Sequence, residues 1–188
     1  MPTIEEMLKE KLPVEFIKQR EIAGGKKIDY LDGWVIIENA NRIFGFDGWE
    51  YDPQHFECVN RETFTKKKKS QSDPDVIGYR VSYTCKGTVA IITKFLDKDG
   101  FSAEKRQVFG GVGYGSGVSY QDFGDATESA IKEADTDCMK RCFRFKGNQF
   151  GLALYDKEHR NVDISAQDKI HAFIAEQPEN SREAYKES

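Results

Sequence analysis

A chain of 188 residues with 38% hydrophobic residues and 16 glycines has the composition of one globular domain of ordinary size, which excludes wholesale disorder. Its 28 basic and 32 acidic residues leave a formal net charge of −4, so a uniformly basic nucleic-acid coat is ruled out, and positive charge serving DNA or RNA has to be segregated onto one face. No stretch reaches the ~18 apolar residues of a membrane span, and the N-terminus MPTIEEMLKEKLP lacks the cationic start and apolar run of a signal peptide; the expectation is an intracellular protein with no membrane partner.

Residues 4–19 place Ile4, Met7, Leu8, Leu12, Phe16 and Ile17 in a helical rhythm interrupted by Pro13, which predicts two short helices around a kink. Gly24 and Gly25 mark a turn, Lys27–Leu31 a brief strand, and Asp32–Gly33 another turn. Val35, Ile36, Ile37, Ala40, Ile43 and Phe44 recur at helical spacing, predicting a helix over 34–44 stopped by Gly45. The segment between Trp49 and Tyr79 contains Lys66–Lys69 and SQSDPD, and reads as a polar, mobile hairpin end. From Tyr79 to Phe109 the period is two: Tyr79, Val81, Tyr83 and Cys85 face one way while Arg80, Ser82, Thr84 and Lys86 face the other. Gly87 marks a bend or bulge, Thr88–Leu96 continues as strand, DKDG at 97–100 is a hairpin turn, and Phe101–Phe109 returns. Asp125 with Glu128 three residues on forms a capping box for a long helix over 126–145, with Gly147 beyond it. The predicted fold is therefore α+β, an antiparallel meander of three to four strands packed on a long helix. Residues 158–188 form a polar tail, read as a peripheral helix or partly disordered segment.

At about 100° per residue, Ile131, Ala134, Cys138, Cys142 and Phe145 fall on one stripe of the long helix, the face expected to meet the core. Lys140, Arg141 and Arg144 share a polar face away from it. Complementing the negative end of the helix dipole is one role for these cations; concentrating charge on one face, as the overall balance demands, is the other. The four cysteines and three histidines show no zinc-ligand spacing, and Cys138 with Cys142 reads as a buried reduced pair, so no metal, cofactor or disulfide is expected. The run GGVGYGSG, Gly110–Gly117, invites a phosphate-loop reading and hence a nucleotide-binding enzyme. It lacks the terminal Gly-Lys-Ser/Thr of that motif, and close backbone approach by another chain or a nucleic-acid strand suits it better. Glu133, Asp135 and Asp137 lack the supporting base that a nuclease centre needs.

Five blocks, LKEKLPVEFIKQREIAGGKKIDYLDG, ANRIFGFDGW, KGTVAIITKFLDKDG, GYG and ATESAIKEADTDCMKRCFRFKGNQFGLALYDK, together resemble the annealing domain of the Rad52 family of recombination mediators over residues 8–157. The resemblance implies a β-sheet backed by a long helix, homo-oligomeric ring assembly, and single-stranded DNA held in a basic groove. It implies annealing of complementary strands in homologous recombination and double-strand break repair without nucleotide hydrolysis or catalysis, a recombinase or single-strand-binding protein as partner, and a nuclear, mitochondrial or bacterial cytoplasmic setting. Lys140, Arg141 and Arg144 match the family's KRxxR and are implied to contact DNA phosphates. Phe46 stands where the family carries tyrosine and is implied to stack on a base. Val35 replaces a groove arginine, and Gln121 and Phe123 occupy the lysine positions of an outer DNA site.

Overall fold

The computed structural model describes residues 2–22, 24–67 and 75–165. In chain order the elements are α1 (Ile4–Lys9), β1 (Leu12–Pro13), β2 (Ile17–Ile22), β3 (Lys26–Leu31), α2 (Gly33–Phe44), β4 (Trp49–Lys66), β5 (Val76–Leu96), β6 (Ser102–Ser119), α3 (Phe123–Phe143) and β7 (Val162–Asp163). They divide into two compact units, one of residues up to Val35 together with those from Lys146 onward, the other running from Ile36 to Phe145. No helix among the described residues is long and apolar enough to cross a membrane.

In the first unit the expected second helix is a single 3-10 turn, Val14–Phe16, just past Pro13. Leu12 precedes proline, which drives it to extended backbone, so the chain leaves α1, pairs Leu12 and Pro13 in parallel with Val162 and Asp163, and continues as β2. That strand forms a hairpin with β3, from Ile17 opposite Leu31 to Ile22 opposite Lys26. Leu12 and Ile17 thus serve strand pairing, while Val14–Phe16 between them form the short 3-10 turn. Buried Gln149 donates its side-chain amide to the carbonyls of Glu10 and Lys11 at 3.2 and 2.9 Å, and Asn148 donates to that of Lys9 at 3.2 Å. Gly147 has φ +141, and a Cβ there would lie 2.4 Å from the Leu8 carbonyl oxygen. The GNQFG block is therefore a clamp on the N-terminal segment.

The second unit is built on a three-stranded antiparallel sheet in the order β4-β5-β6. The segment expected to be a mobile hairpin end is instead strand β4, which pairs with β5 from Trp49 opposite Ile91 to Lys66 opposite Val76. Its side chains are mostly exposed, so it shows none of the apolar alternation that betrays a half-buried strand, and ladder hydrogen bonds hold it. Lys66 lies over the Tyr120 ring at 5.3 Å; Lys68, Lys69 and SQSD fall outside the described residues. Gly87 does not interrupt β5. The register shifts are on β4, one between Pro53 and His55, opposite Gly87 and Lys86, and one between Cys58 and Asn60.

The alternation expected along β5 is observed. Val81, Cys85, Val89 and Ile91 are buried, as are Ala126, Ala130, Ala134, Cys138, Met139, Cys142 and Phe143 of α3. The helix begins earlier than its sequence suggests: Asp122, not Asp125, is the N-cap and accepts the Asp125 N–H at 2.9 Å, while Glu128 pairs with Lys132. At its other end Phe145 is 64% exposed, so the buried stripe ends at Cys142 and Phe143.

The glycine run is not a loop. Gly110–Gly117 lies within β6, and the sheet face turned to α3 presents Gly111, Gly113, Gly115 and Gly117. A Cβ on Gly113 would come within 2.2 Å of the Ala134 carbonyl oxygen and the Cys138 nitrogen, and one on Gly117 within 1.9 Å of the Ala126 carbonyl oxygen. Helix backbone and strand backbone are in direct contact, so only glycine fits here.

Candidate nucleic-acid interface

Because odd-numbered glycines of β6 meet α3, the even-numbered residues Gly110 and Val112, with their cross-strand neighbours Thr88 and Lys86, lie on the opposite face. Between these residues and the end of α3 lies an open groove of about 570 Å³ lined by Gln54, Lys86, Gly87, Thr88, Gly110, Gly111, Val112, Arg141 and Arg144. Three glycines leave part of its lining without side chains. Gln54 is one of the two residues of β4 skipped in its pairing with β5, and its amide donates to Asp52 at 3.2 Å and to the Thr88 hydroxyl at 3.4 Å.

Arg141 and Arg144 come from the last turn of α3 and the turn just beyond it. Arg141 Nε donates to Asp137 Oδ2 at 2.7 Å, with the arginine side chain 47% exposed, so the pair holds the guanidinium in place while leaving other N–H donors available. The Arg144 guanidinium lies over the Phe145 ring at 4.6 Å, and its buried Nε has no hydrogen-bond partner among the described residues. Lys140 is partly buried and does not line the groove. Phe46, 86% exposed, sits in the turn between α2 and β4, beside Asp47, whose carboxylate meets Lys94 at 2.6 Å. That ion pair holds the Asp47 carboxyl below its ordinary value. Phe46 does not line the groove. The structure brings together two of the four residues singled out in the sequence and adds Lys86. The signal for Lys86 was present in the strand alternation, but only the register with Val112 shows which cations it joins.

The acids that a nuclease reading would use have other partners. Glu133 accepts the Ser116 N–H at 2.9 Å, Asp137 accepts the Tyr114 N–H at 3.0 Å, and Asp135 accepts the Tyr51 hydroxyl at 2.9 Å. Burial, reinforced by the Asp135 hydrogen bond, pushes the Tyr51 phenol far above its ordinary range. Val35 is 1% exposed and belongs to the core. Phe123 packs edge-on against Tyr79 at 4.9 Å and under the Arg61 guanidinium at 4.2 Å.

Comparison with known proteins places the chain among DNA repair and recombination proteins by sequence. The chain is 30% identical to the DNA repair and recombination protein rad22 of Schizosaccharomyces pombe over 82% of its own length and 28% of that protein. It is 34% identical to rti1 of the same yeast over 81% of the chain and 35% of the relative, and 30% identical to RAD52 of Saccharomyces cerevisiae over 82% and 30%. The chain therefore spans about a third of the length of these curated relatives. The family model for Rad52/22 double-strand break repair proteins matches residues 1–172, nearly the whole chain, which accordingly belongs to the Rad52/22 family.

Proposed function

We propose that this chain binds the phosphate backbone of single-stranded DNA in the groove beside α3 and, as a homo-oligomeric ring, anneals complementary strands in recombination and double-strand break repair without hydrolysing nucleotide. The observation that carries this reading is the convergence of Lys86, Arg141 and Arg144 on one open, glycine-lined groove in a chain whose net charge is −4. A local patch of this kind gains reach by repetition around a closed assembly, where neighbouring subunits extend the positive track. Phosphate contacts position a strand and leave its bases unread, so a second strand can test them for complementarity. Phe46 supplies an exposed surface on which a base can stack, and Lys140, next to Arg141 in the chain, adds positive charge. The nuclear or other intracellular setting, and a recombinase or single-strand-binding protein as collaborator, belong to the same proposal. Gly110–Gly117 is a strand, so a nucleotide-binding loop has no place in it.

The test is charge reversal at Arg141→Glu and, separately, Lys86→Glu. Each variant is expected to lose oligothymidylate binding at least tenfold and to anneal complementary oligonucleotides correspondingly poorly, with its mass by light scattering unchanged. Full annealing by Arg141→Glu would remove the groove from the mechanism.

A further inference from the structure

One row of α3 runs along the outer edge of β6 at four-residue spacing: Glu133, Asp137, Arg141. β6 is an edge strand of the sheet, so alternate N–H groups along it point away from β5. Two of these are the Ser116 and Tyr114 N–H groups, which Glu133 and Asp137 accept at 2.9 and 3.0 Å. The register of β6 with β5 is unbroken from Tyr79–Ser119 to Leu96–Ser102, so the N–H groups of Val112 and Gly110 point the same way as those of Tyr114 and Ser116. Beside them the helix row changes sign. In place of a third carboxylate it presents Arg141, and Arg144 lines the same groove as Gly110 and Val112.

An outward edge N–H beside a carboxylate is capped; an outward edge N–H beside a guanidinium has the makings of an anion site, because both groups donate. We infer that the main-chain N–H groups of Val112 and Gly110 hold phosphate oxygens of single-stranded DNA between Arg141 and Arg144, so that the backbone of β6, and not side chains alone, fixes where the phosphates sit. Consecutive outward N–H groups on a strand are about 6.6 Å apart, close to the spacing of neighbouring phosphates on a partly extended single strand. The Arg144 guanidinium, which lines the groove, is a further donor at this position. The inference rests on the groove being the DNA site, and it assigns the part of that site which no side-chain substitution removes.

The experiment replaces the Val112 amide by an ester, using α-hydroxyvaline, which deletes the N–H and keeps the side chain. The same exchange at Val118, an edge position of the same parity outside the groove, is the control. Oligothymidylate affinity is expected to fall roughly tenfold for the Val112 ester, the range of a hydrogen bond to a charged group, and to stay within about twofold for the Val118 ester. Hydrogen exchange supplies a second readout in the unmodified protein: saturating oligothymidylate is expected to slow the Val112 and Gly110 amides while leaving those of Tyr114 and Ser116 unchanged. If Arg141→Glu abolishes binding while the Val112 ester binds normally and neither amide is slowed, the main-chain seat is wrong and the groove assignment stands. If neither the ester nor Arg141→Glu affects binding, both fail.

Discussion

For the buried thiols of the second unit the surrounding core itself makes stability depend on pH. Burial pushes the Cys85 thiol up to about 11 and that of Cys142 up to about 12, against 9.0 for an unperturbed thiol. The folded protein therefore holds protons that the unfolded chain has released, so the stability these thiols contribute is complete below pH 9 and is lost as pH rises through 11 to 12. The denaturant midpoint is expected to fall more steeply above pH 9 in the wild type than in Cys85→Ala/Cys142→Ala, and equal slopes would show that burial does not set the thiol protonation. Cys138 and Cys142 were legible in the sequence as a buried pair because four-residue spacing is enough to place them on one helix side. Asp137 was not, since its roles come from Tyr114 and from Arg141, and the first of these contacts spans 23 residues.

At the scale of elements, the α3–β6 seam works because two repeats nearly coincide: two strand residues advance about 6.6 Å and four helix residues about 6.0 Å. Gly117, Gly115, Gly113 and Gly111 thus keep step with Ala126, Ala130, Ala134 and Cys138, and the outer row Glu133, Asp137 and Arg141 keeps step with Ser116, Tyr114 and Val112. Gly113→Ala is expected to destabilise the protein by about 3 kcal/mol or more, because its methyl would overlap the helix backbone. Gly110→Ala, whose methyl would meet only the Gly87 carbonyl oxygen at 3.9 Å, is expected to melt within a few degrees of wild type. Thermal unfolding of the pair checks this, and equal melting temperatures would contradict the direct backbone contact. The alternating glycines were visible in the sequence, but a period of two in glycine suits a strand under a helix as well as a flexible loop, and only the Ala-x-x-x-Ala rhythm of α3 distinguishes them. The reverse error on β4 has the same root: an exposed strand paired along its whole length leaves no hydrophobic signature, because its register is specified by β5.

For the whole molecule the charge balance is the organising fact. After Leu154 the chain carries eight acids and five bases, which contribute −3 of the net −4, so the remainder is nearly neutral and its basic face is a local feature. If assembly supplies the continuity of the positive track, light scattering is expected to give a mass several times 21.5 kDa, and oligothymidylate binding to weaken steeply with salt, by about 0.7 in log-log slope for each phosphate neutralised. A 21.5 kDa species that anneals at full rate would overturn the ring. The resemblance legible in the five sequence blocks reached the family and the helix cations; the groove itself was out of reach because Gln54, Lys86 and Arg141 meet only through the pairing of β4, β5 and α3. That same pairing limits how the protein can be modified. One residue inserted anywhere in 111–117 would turn the glycine face outward and drive side chains into α3, whereas the exposed Asp97–Gly100 turn joins β5 to β6 at their far ends, with Gly100 at φ +82 and no atom within 4 Å of the position a Cβ would take. A fluorophore or affinity handle placed there would leave the lining of the proposed groove untouched while DNA binding is measured.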